Sequence, residues 1–236
     1  MRIRSAFVVP NPRKQWAVKL TKEVEELLVK HGIKLKKDGD ALITVGGDGT
    51  LLYNKNRYRQ PIFGIGNEKS FICQSTYRNW RKLLPRVLRS CRIDWRTMLQ
   101  CEISGRVYEN ALNEICIRSR DHRVIETSLS FRGRNVLFKS DGVLFSTPTG
   151  STAYAYSCGA PQLHPRARKY EIVPISPYRR SFKPAVVPDS TECELTVLGS
   201  NADLVIDGQF IHKVKLNSKI RVRLSDRKLG ILLPAT

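Results

Sequence analysis

Apolar and polar positions alternate with two different periods along the chain, and the change falls near residue 97. Residues 3–9 form a short apolar run closed by Pro10-Asn11-Pro12, the pattern of a buried strand entering a loop. Residues 13–31 then set Trp16, Val18, Leu20, Val24, Leu27 and Leu28 mostly three and four positions apart among Lys and Glu, with Gly32 following. That spacing predicts an amphipathic helix with a glycine stop. Residues 41–45 and 61–65 are further apolar runs, the first leading into Gly46-Gly47-Asp48-Gly49-Thr50. Strand, helix, strand, glycine turn and strand predict a parallel α/β layer whose loops collect at one sheet edge.

Beyond residue 97 the segments are short and alternating: 99–103, 106–117, 124–131, 135–138, 142–146, 194–198, 203–206, 211–216 and 219–224. They predict an antiparallel, β-rich second half. Residues 159–191, punctuated by Pro161, Pro165, Pro174, Pro177, Pro184 and Pro188, carry no period that assigns an element. The expected organisation is an α/β domain over residues 1–97 and a β-rich domain over 98–236, with the last residues able to return to the first.

Charge widens the range of partners and motifs then narrow it. Forty-one Lys+Arg against 21 Asp+Glu give a net +20, which favours anionic partners. Residues 51–100 hold 11 Lys+Arg and only Glu68 and Asp94, with Tyr58, Tyr77 and Trp80 among the basic positions. Interleaved aromatics of this kind occur in nucleic-acid binders. No helix-turn-helix, zinc-finger or RNA-recognition signature accompanies them, so a solvated basic face is expected and specific nucleic-acid binding is not. No run approaches the roughly 18 apolar residues of a spanning helix, so no membrane association and a cytoplasmic location are expected. The cysteines Cys73, Cys91, Cys101, Cys116, Cys158 and Cys193 form no CxxC pair and read as reduced, mostly buried small hydrophobes. The histidines are equally scattered, and no protein-built metal site is expected.

Three segments carry candidate chemistry. Gly46-Gly47-Asp48-Gly49-Thr50 follows a buried strand, where glycines let several backbone N–H groups approach a phosphate. Asp48 is the unusual member, since a carboxylate beside phosphates serves with a metal ion or as acceptor of a hydroxyl proton. A tight strand-to-turn connection uses the same residue types. The loop is neither a P-loop nor a dinucleotide fingerprint, because no GxxxxGK[ST] occurs and Gly64-Ile65-Gly66-Asn67-Glu68-Lys69 lacks a third glycine. Asn113-Glu114 interrupts an apolar stretch, and sugar hydroxyls suit the pair as partners; a polar edge strand is the alternative. The third segment, residues 139–159, runs from Lys139-Ser140-Asp141-Gly142 through Ser146-Thr147-Pro148-Thr149-Gly150-Ser151-Thr152-Ala153-Tyr154 to Ser157-Cys158-Gly159. Its hydroxyls and the Tyr154 ring suit a polar pocket for a base, or an N-capped helix behind a Ser/Thr-rich loop.

These three blocks, in this order and at these separations, resemble the NAD kinase family, whose third block reads close to DGxxxSTPTGSTAYxxSxGGP. The resemblance extends to Ile175-Ser176-Pro177, Lys183-Pro184 and Asp207-Gly208-Gln209, and so spans nearly the whole chain. It implies phosphorylation of the adenosine ribose 2′-hydroxyl of NAD, with ATP or polyphosphate as donor, Mg2+ bound with the donor, and a homodimer or homotetramer. It makes Asp48 the proton acceptor and Gly47, Gly49 and Thr50 the phosphate-holding neighbours. It puts NAD against Asn113, Glu114, Asp141, Thr152, Ala153, Tyr154 and Ser157, with Lys139 and Gln209 as further contacts and Arg123 aligned only across a gap.

The chain departs from the family pattern after the glycine loop, where Leu51-Leu52-Tyr53 replaces the usual basic residue and Lys55 or Arg57 is expected to serve the donor. It departs again over residues 64–72 and at Gly159-Ala160-Pro161. Competing readings are a lipid or sugar kinase, from the glycine loop alone, and a non-enzymatic nucleic-acid binder, from charge. A serine hydrolase built on Ser157, Asp207 and His212 is the remaining one.

Overall fold

The computed structural model describes residues 1–121 and 123–235. The chain forms two compact units, residues 1–95 with 229–236, and residues 96–228. The first begins with β1 (Ser5–Pro10), α1 (Gln15–Lys30), β2 (Lys34–Leu35), β3 (Ala41–Val45), α2 (Asp48–Asn54), β4 (Ile62–Gly66), β5 (Ser75–Thr76), α3 (Trp80–Arg89) and β6 (Cys91–Arg96). β1, β2, β3, β4 and β5 pair in parallel, and every residue of β3 and β4 is buried, as a central strand covered on both faces requires. Ala17, Leu20, Val24 and Leu28 of α1 and Trp80, Leu84, Val87 and Leu88 of α3 close one face over Ala6, Val8, Ile43, Val45, Phe63 and Ile65. Val18, counted in the apolar stripe, is instead exposed. The helix stop is a Schellman turn: Ile33 N–H donates to the Leu28 carbonyl and Gly32 N–H to that of Val29, with Gly32 at φ 72°.

The second unit holds β7 (Leu99–Ile103), β8 (Arg106–Val107), β9 (Glu114–Ser119), β10 (Ile125–Phe131), β11 (Arg134–Ser140) and β12 (Gly142–Ser146). After the four-residue helix α4 (Tyr154–Ser157) come β13 (Lys169–Ile175), β14 (Ala185–Pro188), β15 (Cys193–Leu198), β16 (Ala202–Ile206), β17 (Phe210–Val214) and β18 (Lys219–Leu224). They form two antiparallel sheets, ordered β11-β10-β15-β18-β7-β8 and β14-β13-β12-β9-β16-β17. Alternate residues of both sheets meet in one core, among them Leu129, Val197 and Val222 from the first and Ile117, Phe145, Ile172 and Leu204 from the second. The other face of the second sheet is also covered, by Ala155 and Ala160 over Cys116, Leu144, Val173 and Ile175. An α/β unit with a parallel sheet and an antiparallel β-rich unit are the architecture the sequence predicts. The stretch 106–117 is not one strand: β8 ends at Val107 and β9 starts at Glu114.

The last strand, β19 (Leu229–Pro234), returns to the first unit and lies between β4 and β6 in the order β2-β1-β3-β4-β19-β6. Ile231 pairs in parallel with Ile62 and is buried. Truncating a buried Ile costs about 2–5 kcal/mol, and a chain of this size loses about 2–4 °C per kcal/mol. Ile231→Ala is therefore expected to lower the melting temperature by about 5 °C or more in a circular-dichroism melt, and an unchanged Tm would place β19 outside the folded sheet.

Candidate functional site

In the first unit the chemistry gathers at the carboxyl ends of β1, β3 and β4. Gly46 and Gly47 leave β3 at φ 148° and 105°, and a Cβ on Gly46 would lie 2.5 Å from both Asn11 Cβ and Thr50 Oγ1. A side chain is thus sterically excluded at Gly46, where the chain leaves β3. The amides of Gly47, Asp48 and Gly49 meet no acceptor among the described residues. Lys14, just beyond β1, donates from Nζ to the Gly46 carbonyl at 2.6 Å. Asn11 donates from Nδ2 to Thr50 Oγ1 at 3.3 Å.

Asp48 is held from the third loop. Its Oδ2 accepts the Phe71 N–H at 2.7 Å, and its Oδ1 accepts those of Ile72 and Cys73 at 3.1 and 3.0 Å. The departure from the family pattern over residues 64–72 therefore still yields a segment that orients this carboxylate. It also leaves Phe71 85% exposed beside it. Burial and the Asp48 charge both push the Cys73 thiol up, so that thiol is inert.

In the second unit the motif residues collect on the outer face of the β9–β12–β13 sheet. Asp207, in the turn between β16 and β17, accepts the N–H groups of Leu112, Asn113 and Glu114 at 2.9, 2.7 and 3.0 Å. Those amides are withdrawn from any ladder, which is why the expected strand breaks before Glu114. Asn113 in turn takes the Thr147 N–H on its carbonyl at 2.9 Å, and a Cβ on Gly150 would overlap that same carbonyl. The Gly in the STPTGS run is thus a packing requirement. Asn113 Oδ1 and Glu114 Oε2 are buried and have no hydrogen-bond partner.

Cross-strand pairing runs Glu114–Ser146–Glu171, so these three side chains share one end of the outer face. Asp141 precedes β12 at the other end, where Gly142 pairs with Arg118. Four residues separate the two ends, about 13 Å at 3.3 Å per residue. Tyr154, partly exposed on α4, has its hydroxyl pushed up by burial and by the neighbouring Cys116, Cys158 and Asp141. Thr152, Ala153 and Ser157 lie on the same short segment, and Gln209 is exposed in the Asp207 turn.

Other expectations come apart. Lys139 lies on β11 in the other sheet, its Nζ 3.9 Å from Glu126. Arg123 is exposed in the loop before β10. Lys55 is wholly buried inside the first unit and cannot reach out to a donor. Arg57, at the far end of α2, donates to the Tyr53 hydroxyl at 3.1 Å and stacks on its ring. The cation at the glycine loop is Lys14, which no motif marked. The hydrolase constellation is not assembled: Asp207 is engaged by three amides, and His212 Nε2 is paired with Glu109 at 2.8 Å.

The profile of the ATP-NAD kinase C-terminal domain matches residues 112–233. An NAD kinase of Methanosarcina barkeri is 32% identical over 200 residues, 81% of this chain and 73% of its own. One from Treponema denticola is 30% identical over 256 residues, covering 96% of this chain and 90% of its own. The crystal structure of an NAD kinase from Archaeoglobus fulgidus in complex with ATP superposes with a TM-score of 0.84 at 26% identity, over 98% of this chain and 94% of that one.

Two buried carboxyls make the second unit sensitive to pH. Burial pushes Glu171 up to about 7 against an opposing contact from Ser146; burial and then the Asp207 charge push Glu114 up to about 8. Between the ordinary carboxyl range and these values the folded chain holds protons that the unfolded chain has lost, so stability falls as pH rises. For Glu171 the loss by pH 8 is about 3 kcal/mol, at about 1.4 kcal/mol per pH unit. The melting temperature is expected to drop between pH 5 and pH 8, and Glu171→Gln is expected to flatten that slope. A wild-type Tm independent of pH over the range would contradict the burial of these groups.

Proposed function

The chain belongs to the NAD kinase family, and on that premise we propose how its own residues move the terminal phosphate of ATP to the adenosine ribose 2′-hydroxyl of NAD, giving NADP. Phosphoryl transfer asks a protein to align nucleophile and donor and to neutralise developing charge. The observation that carries the assignment is the glycine loop, where three amides without acceptors stand beside one ammonium and one oriented carboxylate. Gly47, Gly49 and the Lys14 ammonium take the donor's terminal phosphates, and Thr50 fixes the loop through Asn11. Asp48 is the proton acceptor. Three amides, with the Cys73 thiol beside them, fix the direction in which this carboxylate faces the hydroxyl.

NAD is held by the second unit. The unpartnered Asn113 Oδ1 and Glu114 Oε2 accept from sugar hydroxyls or a base amino group at one end of the outer face, and Asp141 accepts at the other. Tyr154 offers its ring between them, Thr152, Ala153 and Ser157 line the same segment, and Gln209 reaches in from the Asp207 turn. Lys139 and Arg123 rest on the resemblance alone.

Magnesium supplies charge neutralisation on the donor phosphates. Among the described residues no three His, Cys, Asp or Glu side chains gather into a metal site. Mg2+ is commonly held by one or two carboxylates together with substrate phosphates, so the residues fit an ion that would be borne mainly by the donor's own phosphates. Six free thiols favour a reducing, cytoplasmic setting. Open sheet edges at β11 and β17, with Leu137 and Ile211 exposed, favour assembly into a homodimer or homotetramer.

Incubation with ATP, Mg2+ and NAD is expected to yield NADP. Asp48→Asn should lower kcat by about 10²–10⁴-fold. Because an Asn amide group would face the Phe71 N–H, its melting curve is recorded alongside, and a folded variant with full turnover would remove Asp48 from the chemistry. Lys14→Ala should raise KM for the donor about tenfold or more and leave KM for NAD unchanged; the reverse pattern would remove Lys14 from the donor site.

A further inference from the structure

The first unit contains a cavity of about 560 Å³ between α1 and α3 that none of the roles above uses. Its size falls within the range of small-molecule sites. Three aromatic rings line it. Trp80 is the buried floor, and Trp16 and Tyr77 form one wall, their ring centroids 5.8 Å apart at 54°. A planar group inserted between two rings needs about 7 Å, two contacts of about 3.5 Å. Trp16 and Tyr77 therefore already touch each other, and a ligand ring would lie on their open faces.

The polar groups are few and complementary. Asn67 Oδ1 accepts the Lys69 N–H at 3.0 Å and the Ser70 hydroxyl at 3.4 Å, which leaves its Nδ2 as a free donor. Glu23 Oε2 is taken by Arg81 at 2.6 Å, which leaves Oε1 as an acceptor, and the Arg81 guanidinium stands 4.7 Å from the Trp80 ring centre. One amide donor and one carboxylate acceptor beside an aromatic wall match the edge of an amino-purine, whose ring nitrogen accepts and whose exocyclic amine donates.

One residue of the cavity, Asn67, is tied to the glycine loop through Ser70. Ser70, whose Oγ accepts the Asn67 N–H at 3.1 Å, is the residue nearest the open side of Gly47, 3.4 Å from where its Cβ would stand. Trp16 follows Lys14 by two residues. A base on the aromatic wall and phosphates at Gly47 and Lys14 thus lie along one edge of the sheet.

We propose that this cavity seats the nucleobase of the phosphate donor, so that the chain selects an amino-purine nucleoside triphosphate over a bare polyphosphate chain. The proposal rests on the donor site assigned above at the glycine loop. Lys19, three residues beyond Trp16 on α1, places a further cation at the cavity for the same anionic ligand.

Two of the three tryptophans, Trp16 and Trp80, line the cavity and Trp95 does not, so intrinsic fluorescence reads its occupancy directly. ATP and ADP are expected to quench the wild-type emission, and inorganic tripolyphosphate is not. Trp16→Ala and Tyr77→Ala should each weaken ATP binding about tenfold, read by calorimetry, and raise KM for ATP without changing KM for NAD. Inosine triphosphate, which lacks the exocyclic amine, should bind about tenfold more weakly than ATP, and Glu23→Ala should shrink that gap. Unchanged ATP affinity in both aromatic variants, or equal kcat/KM with ATP and tripolyphosphate, would overturn the proposal. ATP quenching in a protein that makes no NADP from any donor would sink the reaction assigned above and leave the nucleobase site standing.

Discussion

The outer face of the second unit's β9–β12–β13 sheet depends on one carboxylate collecting three consecutive amides. Asp207 is buried, held at φ 51°, and accepts from Leu112, Asn113 and Glu114. A buried charge survives only where it is paired or hydrogen-bonded, and bonds to an ionised acceptor are the stronger kind. With its donors committed to Asp207 the backbone cannot continue a ladder. It therefore turns before β9, leaving the Asn113 and Glu114 side chains with oxygens that find no partner among the described residues. The negative charge that makes the turn also helps keep Glu114 protonated near neutrality. In the first unit Asp48 does the same to the amides of Phe71, Ile72 and Cys73. In both units irregular backbone next to reactive groups has its donors satisfied by a side chain rather than by secondary structure.

Much of this was legible in the residues and some of it was not, for separable reasons. The parallel layer and the antiparallel half follow from local period, and the α1 stop from a single glycine. The motif residues Asn113, Glu114 and Tyr154 fall on one face because strand pairing brings together what the sequence order already groups. α3 escaped notice because Pro85 sits within its ten residues and reads as a breaker. Lys14 carries no motif of its own; its position beside Gly46 arises only when β1 and β3 pair. Lys55 was misleading because one position along a helix separates an exposed cation from a buried one, and Leu51-Leu52 gives no hint which way the short α2 faces. Glu171 could not be singled out either, since an apolar strand with one carboxylate reads equally as an edge.

The large positive charge also resolves into parts. Within residues 51–100 it is not a continuous stripe: Arg78 pairs with Glu68 at 2.7 Å, Arg81 with Glu23 at 2.6 Å, and Lys55 is interior. Exposed pairs of this type contribute little to stability. A denser concentration lies elsewhere, in a groove of about 840 Å³ lined by Arg2, Arg4, Lys34, Lys36 and Arg89 with Asp40, where Lys36 pairs with Asp38 at 3.1 Å. Basic side chains arranged this way raise the local concentration of any polyphosphorylated solute and make encounter rates fall with ionic strength.

The position of β19 has a consequence for the order in which the chain becomes structured. Residues 229–234 fill a gap in the sheet between β4 and β6, so the first unit, though it starts the chain, cannot complete its hydrogen bonding until more than two hundred residues have been made. The second unit lies wholly between those ends and draws every strand from residues 96–228. During synthesis it is the part able to finish first, while the Ile62 end of β4 waits without its β19 partner. Closure of that gap joins residues far apart in sequence, the kind of contact that slows folding most.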